Sequence, residues 1–404
     1  MATSLTPPGR LLSLDVFRGL TIAGMIIVND PGSWRYVYPP LRHASWHGIT
    51  PTDLVFPFFL FIVGVSITFA YRKRLEKNPA RKPLIGKIFR RTAILFGLGL
   101  FLALFPKFNF GNLRVVGVLQ RIALVFMACS FLFLYTNWKQ QIQWGAWLLL
   151  GYWFLMAVVP VPIDATVQQA LDTGQVLAQG GMLDIGPIRA ISDQFIAANF
   201  EPGANLQAWV DRYFLPGRLY QKTWDPEGLL STLPSIGTGI LGMLTGHLLI
   251  SKQETTQKVL WVMMAGFLAL LVGHIWSWFF PFNKNLWSSS FVMYTGGLAT
   301  LCLGASYWFV DVLGRKRSPL IYIGQVFGAN AITAYVLHGM LFRLFVLKFG
   351  EGDAAWSLNT AFMNGLMGLG LAPELVSFLY ALTYTAICFV PIWIMYQRKI
   401  FVKV

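Results

Sequence analysis

Residues 14–30 read LDVFRGLTIAGMIIVND, residues 31–40 read PGSWRYVYPP, and residues 41–67 read LRHASWHGITPTDLVFPFFLFIVGVSI. Two apolar runs, each able to supply the roughly 20 residues that cross a bilayer as a helix, flank a polar stretch. Asp15, Arg18, Asn29, Asp30, His43, His47 and Asp53 lie within or beside those runs. Ionisable groups are costly at such depth and mark a functional site by default.

The rest of the chain supplies the surroundings of this cluster. Of its 404 residues 55% are hydrophobic and 12% charged, and the mean hydropathy is +0.57. A soluble protein carries about twice that charge. Apolar runs recur from end to end, which predicts an all-α, polytopic transmembrane helical bundle that is one domain over residues 1–404. Ten spans are expected, at roughly 11–30, 54–71, 88–106, 113–135, 144–162, 229–250, 259–281, 291–310, 320–341 and 375–397. Segment 355–372 reads as an interfacial or re-entrant helix. The opening MATSLTPPGR lacks the basic region of a cleavable signal. Cys129, Cys302 and Cys388 sit inside apolar runs with no metal or disulfide spacing, so they read as packing residues.

The net charge of +15 does not point to nucleic acid, because the basic residues cluster between apolar spans. The positive-inside rule explains them. With both termini in the cytosol, inner segments from Arg10 to Lys403 hold 19 Lys and Arg, and outer segments hold 10. Nine fall between Arg72 and Arg91. The expectation is a bacterial inner-membrane protein with the long loop 163–228 in the periplasm. That loop is acidic (Asp164, Asp172, Asp184, Asp193, Glu201, Asp211, Asp225, Glu227) and should form short helices over the outer mouth.

This sidedness gathers Asn29, Asp30, His43, His47, Asp53, Asp225, Glu227, Lys284, Asn285 and His338 near one face, where a polar pocket could hold a hydrophilic acceptor. His43 is the leading candidate: imidazole serves as base or nucleophile near neutral pH. Asp53 or Asp15 would orient it. The plainer alternative is a hydrogen-bonded interfacial histidine. His47 follows four residues later, but Gly48 and Pro51 oppose a helix there and no metal set is present. Asp15 and Arg18, three apart, can pair on a helix face. Arg114 and Arg121, with Gln120, need anionic partners, whether Asp15 or a ligand's phosphates. GTGILG at 237–242 has G-x-G-x-x-G spacing without a preceding strand, so it reads as a helix-packing surface. Trp287 reads either as an interfacial belt residue or as a sugar platform.

SLDVFRGL (13–20) with Asn29, HASWHGITPTDLVFPFFLFIVGVSI (43–67), LRVVGVLQRIA (113–123), DPEGLLSTLPSIGTGILG (225–242), NKNLWSSSF (283–291) and NAITAYVLH (330–338) occur in one order over nearly the whole chain. Together they resemble the membrane acyltransferases typified by heparan-alpha-glucosaminide N-acetyltransferase. The resemblance implies acetyl transfer from cytosolic acetyl-CoA, a co-substrate, to the amine of a glucosamine-type sugar across the membrane, with no metal. It places the family's essential histidine on His43 and its aspartate and asparagine on Asp15 and Asn29. At position 47 this chain has histidine where the family motif has asparagine. Lysosomal members carry a further luminal domain and span, so the resemblance implies a prokaryotic, core-only version.

The expected site therefore comprises His43, Asn29, Asp15 and Asp53 for catalysis and Arg114, Gln120, Arg121 and Arg18 along the donor path. Trp46, His47, Asp225, Glu227, Asn285, Trp287, Asn330 and His338 would surround the acceptor. Expected partners are the lipid bilayer, acetyl-CoA, an amino-sugar or glycan acceptor and, as a further candidate, a second copy in a homodimer; nucleic acid is not among them. The alternative from another class is a transporter or flippase for a polar glycan or acyl group, which broken helices and internal repeats would favour.

Overall fold

A computed structural model describes residues 11–173, 189–350 and 356–402. Arg10, Asp184 and Lys403 lie outside the described residues. The described chain is predominantly helical, as an apolar environment favours, because internal hydrogen bonding satisfies the backbone there. Its long helices are α1 (Leu12–Asn29), α2 (Val55–Lys77), α3 (Lys82–Leu104), α4 (Val118–Tyr135) and α5 (Trp138–Val158). Two short helices, α6 (Ala165–Asp172) and α7 (Leu206–Phe214), follow in the long connection. Then come α8 (Thr232–Leu249), α9 (Thr255–Trp276), α10 (Ser289–Ser306), α11 (Pro319–Ala329), α12 (Ala331–Phe345), α13 (Leu358–Gly368) and α14 (Pro373–Gln397). One antiparallel ladder pairs β1 (Val161–Pro162) with β2 (Phe195–Ile196) in the long connection.

By length and composition, α1, α2 with its leading turn from Pro51, α4, α9 and α14 can each cross a membrane. The outer face of α9 fits that role: Leu260, Trp261, Met264, Phe267, Leu268 and Leu271 are exposed at helical spacing. Such a continuous apolar face suits lipid rather than water. The other long helices carry more polar residues, so ten spans are not reached on this criterion. The span expected at 320–341 is instead two helices, α11 and α12, bent by 86°. Asn330 sits at the break. Its Nδ2 donates to the Ile400 carbonyl at 3.0 Å, and its Oδ1 accepts from the Val402 amide at 3.0 Å. The basic tract 72–91, expected as a loop, mostly extends α2 and α3, which are separated only by residues 78–81. Lys and Arg are good helix formers, and their long stems let the charged heads reach water.

Small residues bring the helices together. A Cβ on Gly64 of α2 would strike the Gly239 carbonyl of α8, and one on Gly242 would strike the Phe61 carbonyl. GTGILG is thus a close-packing surface, as read from the sequence. α1 and α11 meet the same way, Gly19 against Gly324 and Gly328 against Asp15. Cys129 and Cys388 are buried and Cys302 is exposed. α6 and α7 start at side-chain caps, Asp164 and Asn205, which accept from the first-turn amides. These short helices pack with β1, α5 and the 280–287 turn around Tyr152, Phe200, Phe280 and Leu286. The described parts of the long connection are thereby fixed to one end of the bundle.

Candidate active site

The site begins with how α2 starts. Residues 51–54 form one tight turn, and Thr50 and Asp53 cap it reciprocally. Asp53 Oδ2 accepts from the Thr50 amide (3.0 Å), the Thr50 hydroxyl (3.0 Å) and the Ala44 amide (3.1 Å). One carboxylate oxygen is therefore committed to structure. The other, Oδ1, lies 2.7 Å from His43 Nδ1. Asp53 is 1% exposed, whereas the His43 side chain is 35% exposed. An ionised Asp53 accepts the Nδ1–H, which makes Nε2 the acceptor nitrogen of the ring.

The loop carrying His43 is tied on several sides. The Thr50 hydroxyl donates to the Arg42 carbonyl at 2.7 Å. Trp46 Nε1 donates to the Phe200 carbonyl at 2.8 Å, and its ring meets Trp224 edge-on. The Gly48 amide donates to the Phe282 carbonyl at 2.8 Å, and Gly48 holds a φ of +116°, where a side chain would be strained. These bonds bring the 282–288 turn against His43. Lys284 Nζ lies 3.1 Å from His43 Nδ1, 3.2 Å from Nε2 and 3.9 Å from Asp53 Oδ1. Burial pulls the Lys284 pKa below its usual range, against the attraction of Asp53 and Glu227.

His43, Asp53, Lys284, Asn29, Glu227 and Asn285 line a cavity of about 370 Å³, with Trp46, Trp224, Tyr220 and Tyr335 also in its wall. Carboxylates, a cation, an imidazole and aromatic faces around such a volume suit a polar ring compound bearing an amine. A second cavity, also about 370 Å³, adjoins it through the shared residues Arg114, Val118, Tyr220 and Tyr335. Gln120 and His338 line this second space.

Behind the shared wall, Arg114 grips Asp225 with two bonds (Nε 2.7 Å, Nη2 2.6 Å) and reaches Glu227 at 2.5 Å. Asp225 is fully buried and also accepts from the amides of Tyr220 and Glu227. Gln207 of α7 donates to the carbonyls of Asp225 (3.2 Å) and Asn285 (3.1 Å). The long connection thus fixes both Glu227 and Asn285 at the cavity. Asp211, also on α7, is pushed up to about 7, first by burial and also by Asp225.

Asn29, His43, Trp46, Asp53, Arg114, Glu227 and Asn285 are brought around the first cavity, and Gln120 and His338 around the second. The remaining expected residues line neither. Asp15 is 14 residues from Asn29 on α1, about 21 Å away along the helix; its Oδ1 accepts from Arg18 at 3.1 Å. Arg18 also donates to Ser66 Oγ at 2.9 Å. Arg121, 1% exposed, donates to the Gly228 carbonyl (3.0 Å) and Ser231 Oγ (2.5 Å) beneath the Trp287 ring. Trp287, also 1% exposed, donates from Nε1 to Thr238 Oγ1 at 3.1 Å. His47 lies 3.4 Å from Asn283 Nδ2, and burial lowers its pKa to about 4. Asn330 stays at the α11–α12 break. Lys284, left out of the expected site, stands beside His43 and Asp53. Its signal was the polar NKN tripeptide between two apolar spans.

The chain is thus a helical bundle with several helices long and apolar enough to cross a membrane and a His–Asp pair in the wall of a polar cavity. The family profile described as heparan-alpha-glucosaminide N-acetyltransferase, catalytic, matches residues 10–280. The chain belongs to this family. The human heparan-alpha-glucosaminide N-acetyltransferase is 30% identical over 98% of this chain and 60% of its own length. The mouse protein of that name is 29% identical over 87% of this chain and 56% of its own length. The chain thus spans somewhat over half the length of these relatives.

Proposed function

We propose that the chain transfers the acetyl group of acetyl-CoA to the amine of a glucosamine-type sugar, with His43 as the reacting base or acetyl carrier. The observation that carries this reading is the 2.7 Å His43–Asp53 contact, flanked by Lys284, in the wall of a cavity that also holds Asn29 and Glu227. Glu227 attracts the acceptor's ammonium. That ammonium loses one proton to water, and His43 Nε2 takes a second as the free amine attacks the thioester carbon. Lys284 and Asn29 are placed to stabilise the developing oxyanion. Collapse breaks the C–S bond, and the imidazolium returns its proton to the departing thiolate. In the alternative sequence Nε2 itself attacks, CoA leaves, and the amine then takes the acetyl group from the imidazole.

The positive-inside count supports cytosolic ends, a bacterial inner-membrane location and a His43 cavity facing the periplasm. Basic residues of the α2–α3 end suit the donor's phosphates on the cytosolic side. Of the residues expected along the donor path, Gln120 faces open space, whereas Arg18, Arg114 and Arg121 hold protein partners. Among the described residues, the break at Asn330 suits a transporter, but Asn330 secures the 400–402 backbone.

The test is CoA thiol release by the purified full chain in detergent, with and without glucosamine, beside His43→Ala. Acceptor-dependent release that the variant lacks supports direct transfer. A stoichiometric burst without acceptor supports the acetyl-histidine sequence. Equal release by His43→Ala refutes the proposal.

A further inference from the structure

Two turns bring opposite charges to the His43 cavity. Residues 225–229 present Glu227, and residues 283–288 present Lys284 and Asn285. One side chain outside the cavity joins them. Gln207 of α7 is 1% exposed. Its amide donates one N–H to the Asp225 carbonyl at 3.2 Å and the other to the Asn285 carbonyl at 3.1 Å. Its Oε1 accepts from the Tyr152 hydroxyl at 3.0 Å. Backbone carbonyls only accept, so this orientation of the amide is the one its surroundings permit. Tyr152 shares its hydrogen with the Leu286 carbonyl at 2.6 Å, which ties α5 to the same turn.

Both turns need such support. In 283–288, Trp287 has a φ of +52°, a left-handed conformation that a bulky side chain rarely adopts. In 225–229, a Cβ on Gly228 would overlap the Asp211 carboxylate, so the turn rests directly on α7. Asp211 lies one helical turn after Gln207, on the same face, and accepts the Leu229 amide at 2.9 Å. Without Gln207 the two turns lose their common partner.

We infer that Gln207 is a positioning residue for the acceptor: it sets the separation of Glu227 from Lys284 and so aligns the amine with the acetyl group it attacks. The inference rests on the proposed roles of Glu227 and Lys284. Gln207 lines neither cavity, so it acts through the turns and not through contact with a substrate. A misplacement of about 1 Å costs on the order of a hundredfold in such a transfer.

The test uses the full chain in detergent, with Gln207→Met, Gln207→Glu, Tyr152→Phe, Glu227→Gln and the pair Gln207→Met with Glu227→Gln. Calorimetry reads binding of glucosamine and, separately, of acetyl-CoA; formation of N-acetylglucosamine gives kcat and KM; a thermal melt reports folding. Gln207→Met should lower kcat/KM for glucosamine by roughly ten- to a hundredfold, with acetyl-CoA affinity unchanged. Gln207→Glu keeps the shape and the acceptor for Tyr152 but donates nothing to the two carbonyls, and should be equally impaired. Tyr152→Phe removes one hydroxyl only, and should show a smaller loss confined to the same parameter; it carries the test if either Gln207 variant fails to fold. The paired variant should lose little beyond Glu227→Gln alone, because Gln207 acts through Glu227. Fully additive losses, or acetyl-CoA and glucosamine affinities falling together in step with the melt, would reduce Gln207 to a structural residue and overturn the inference. Native parameters in both Gln207 variants would also overturn it. If the native chain binds glucosamine and the variants bind it more weakly, but no chain forms amide, the proposed reaction fails and the positioning role stands.

Discussion

Two histidine–aspartate pairs sit at the same end of this bundle, and they are built differently. His43 and Asp53 are 2.7 Å apart, and Asp53 is held by three donors on its other oxygen. His338 and Asp30 are separated by 4.0 Å, and Asp30 Oδ2 has no hydrogen-bond partner. Residue type does not distinguish the pairs, but anchoring does. A carboxylate fixed by a capping box can define the tautomer and direction of its imidazole. One that merely lies nearby cannot. The difference also separates the cavities: the anchored pair faces Lys284, Asn29 and Glu227, and the loose pair adjoins the arginine-lined space.

The largest effect should separate the pairs directly. His43→Ala is expected to lower acceptor-dependent CoA release by about 10³-fold, within the range for loss of a general base. His338→Ala should cost less than tenfold. Comparable losses would erase the distinction. Next, Asp53→Asn preserves much of the cap but reverses the hydrogen-bond preference of His43, so a loss of about 10²-fold in kcat is expected with little change in unfolding temperature. Asp53→Ala should add roughly 1 kcal/mol of destabilisation from the lost cap, visible in a thermal melt.

Arg114→Gln leaves two adjacent carboxylates without their cation. A destabilisation of about 2 kcal/mol is expected, below the full scale for a broken buried pair because Arg114 is partly exposed. Thermal unfolding in detergent measures it, and no shift would show the wall between the cavities to be dispensable.

The remaining effects are in pH dependence. His47 takes a proton near 6.5 when unfolded and only near 4 when folded. Its contribution to stability is therefore present above 6.5 and is lost as pH falls toward 4. Asp211 behaves oppositely: its usual value is 3.8 and its folded value about 7, so stability is lost as pH rises through that interval. His47→Asn should remove the first slope and Asp211→Asn the second, with melts from pH 4 to 8 as the readout.

Much of this site was legible because its parts are polar residues stranded between apolar runs. Asn29, His43 and Asp53 fall within 25 positions of one another, and the turn between α1 and α2 brings them together. Lys284 is 241 positions from His43; sidedness puts both at one face, but only the Gly48–Phe282 hydrogen bond between their loops makes them neighbours. Trp287 and Arg121 show the converse. Each reads as ligand-facing by residue type, yet they stack on one another in the core, where Thr238 accepts from Trp287 and Ser231 and the Gly228 carbonyl accept from one Arg121 nitrogen. Asp15 shares α1 with Asn29, but the rise per residue places it far down the helix. The fold class followed from hydropathy. The break at Asn330 did not, because the partners of Asn330, the Ile400 carbonyl and the Val402 amide, lie some 70 residues away in sequence.

The account's central claim is that His43 drives acetyl transfer to an amine. The direct measurement supplies isotopically labelled acetyl-CoA and glucosamine to the purified chain and follows labelled N-acetylglucosamine by mass spectrometry. The account predicts labelled amide product from the native chain and from His338→Ala, and none above the uncatalysed background from His43→Ala. Labelled amide formed by His43→Ala at the native rate would contradict it.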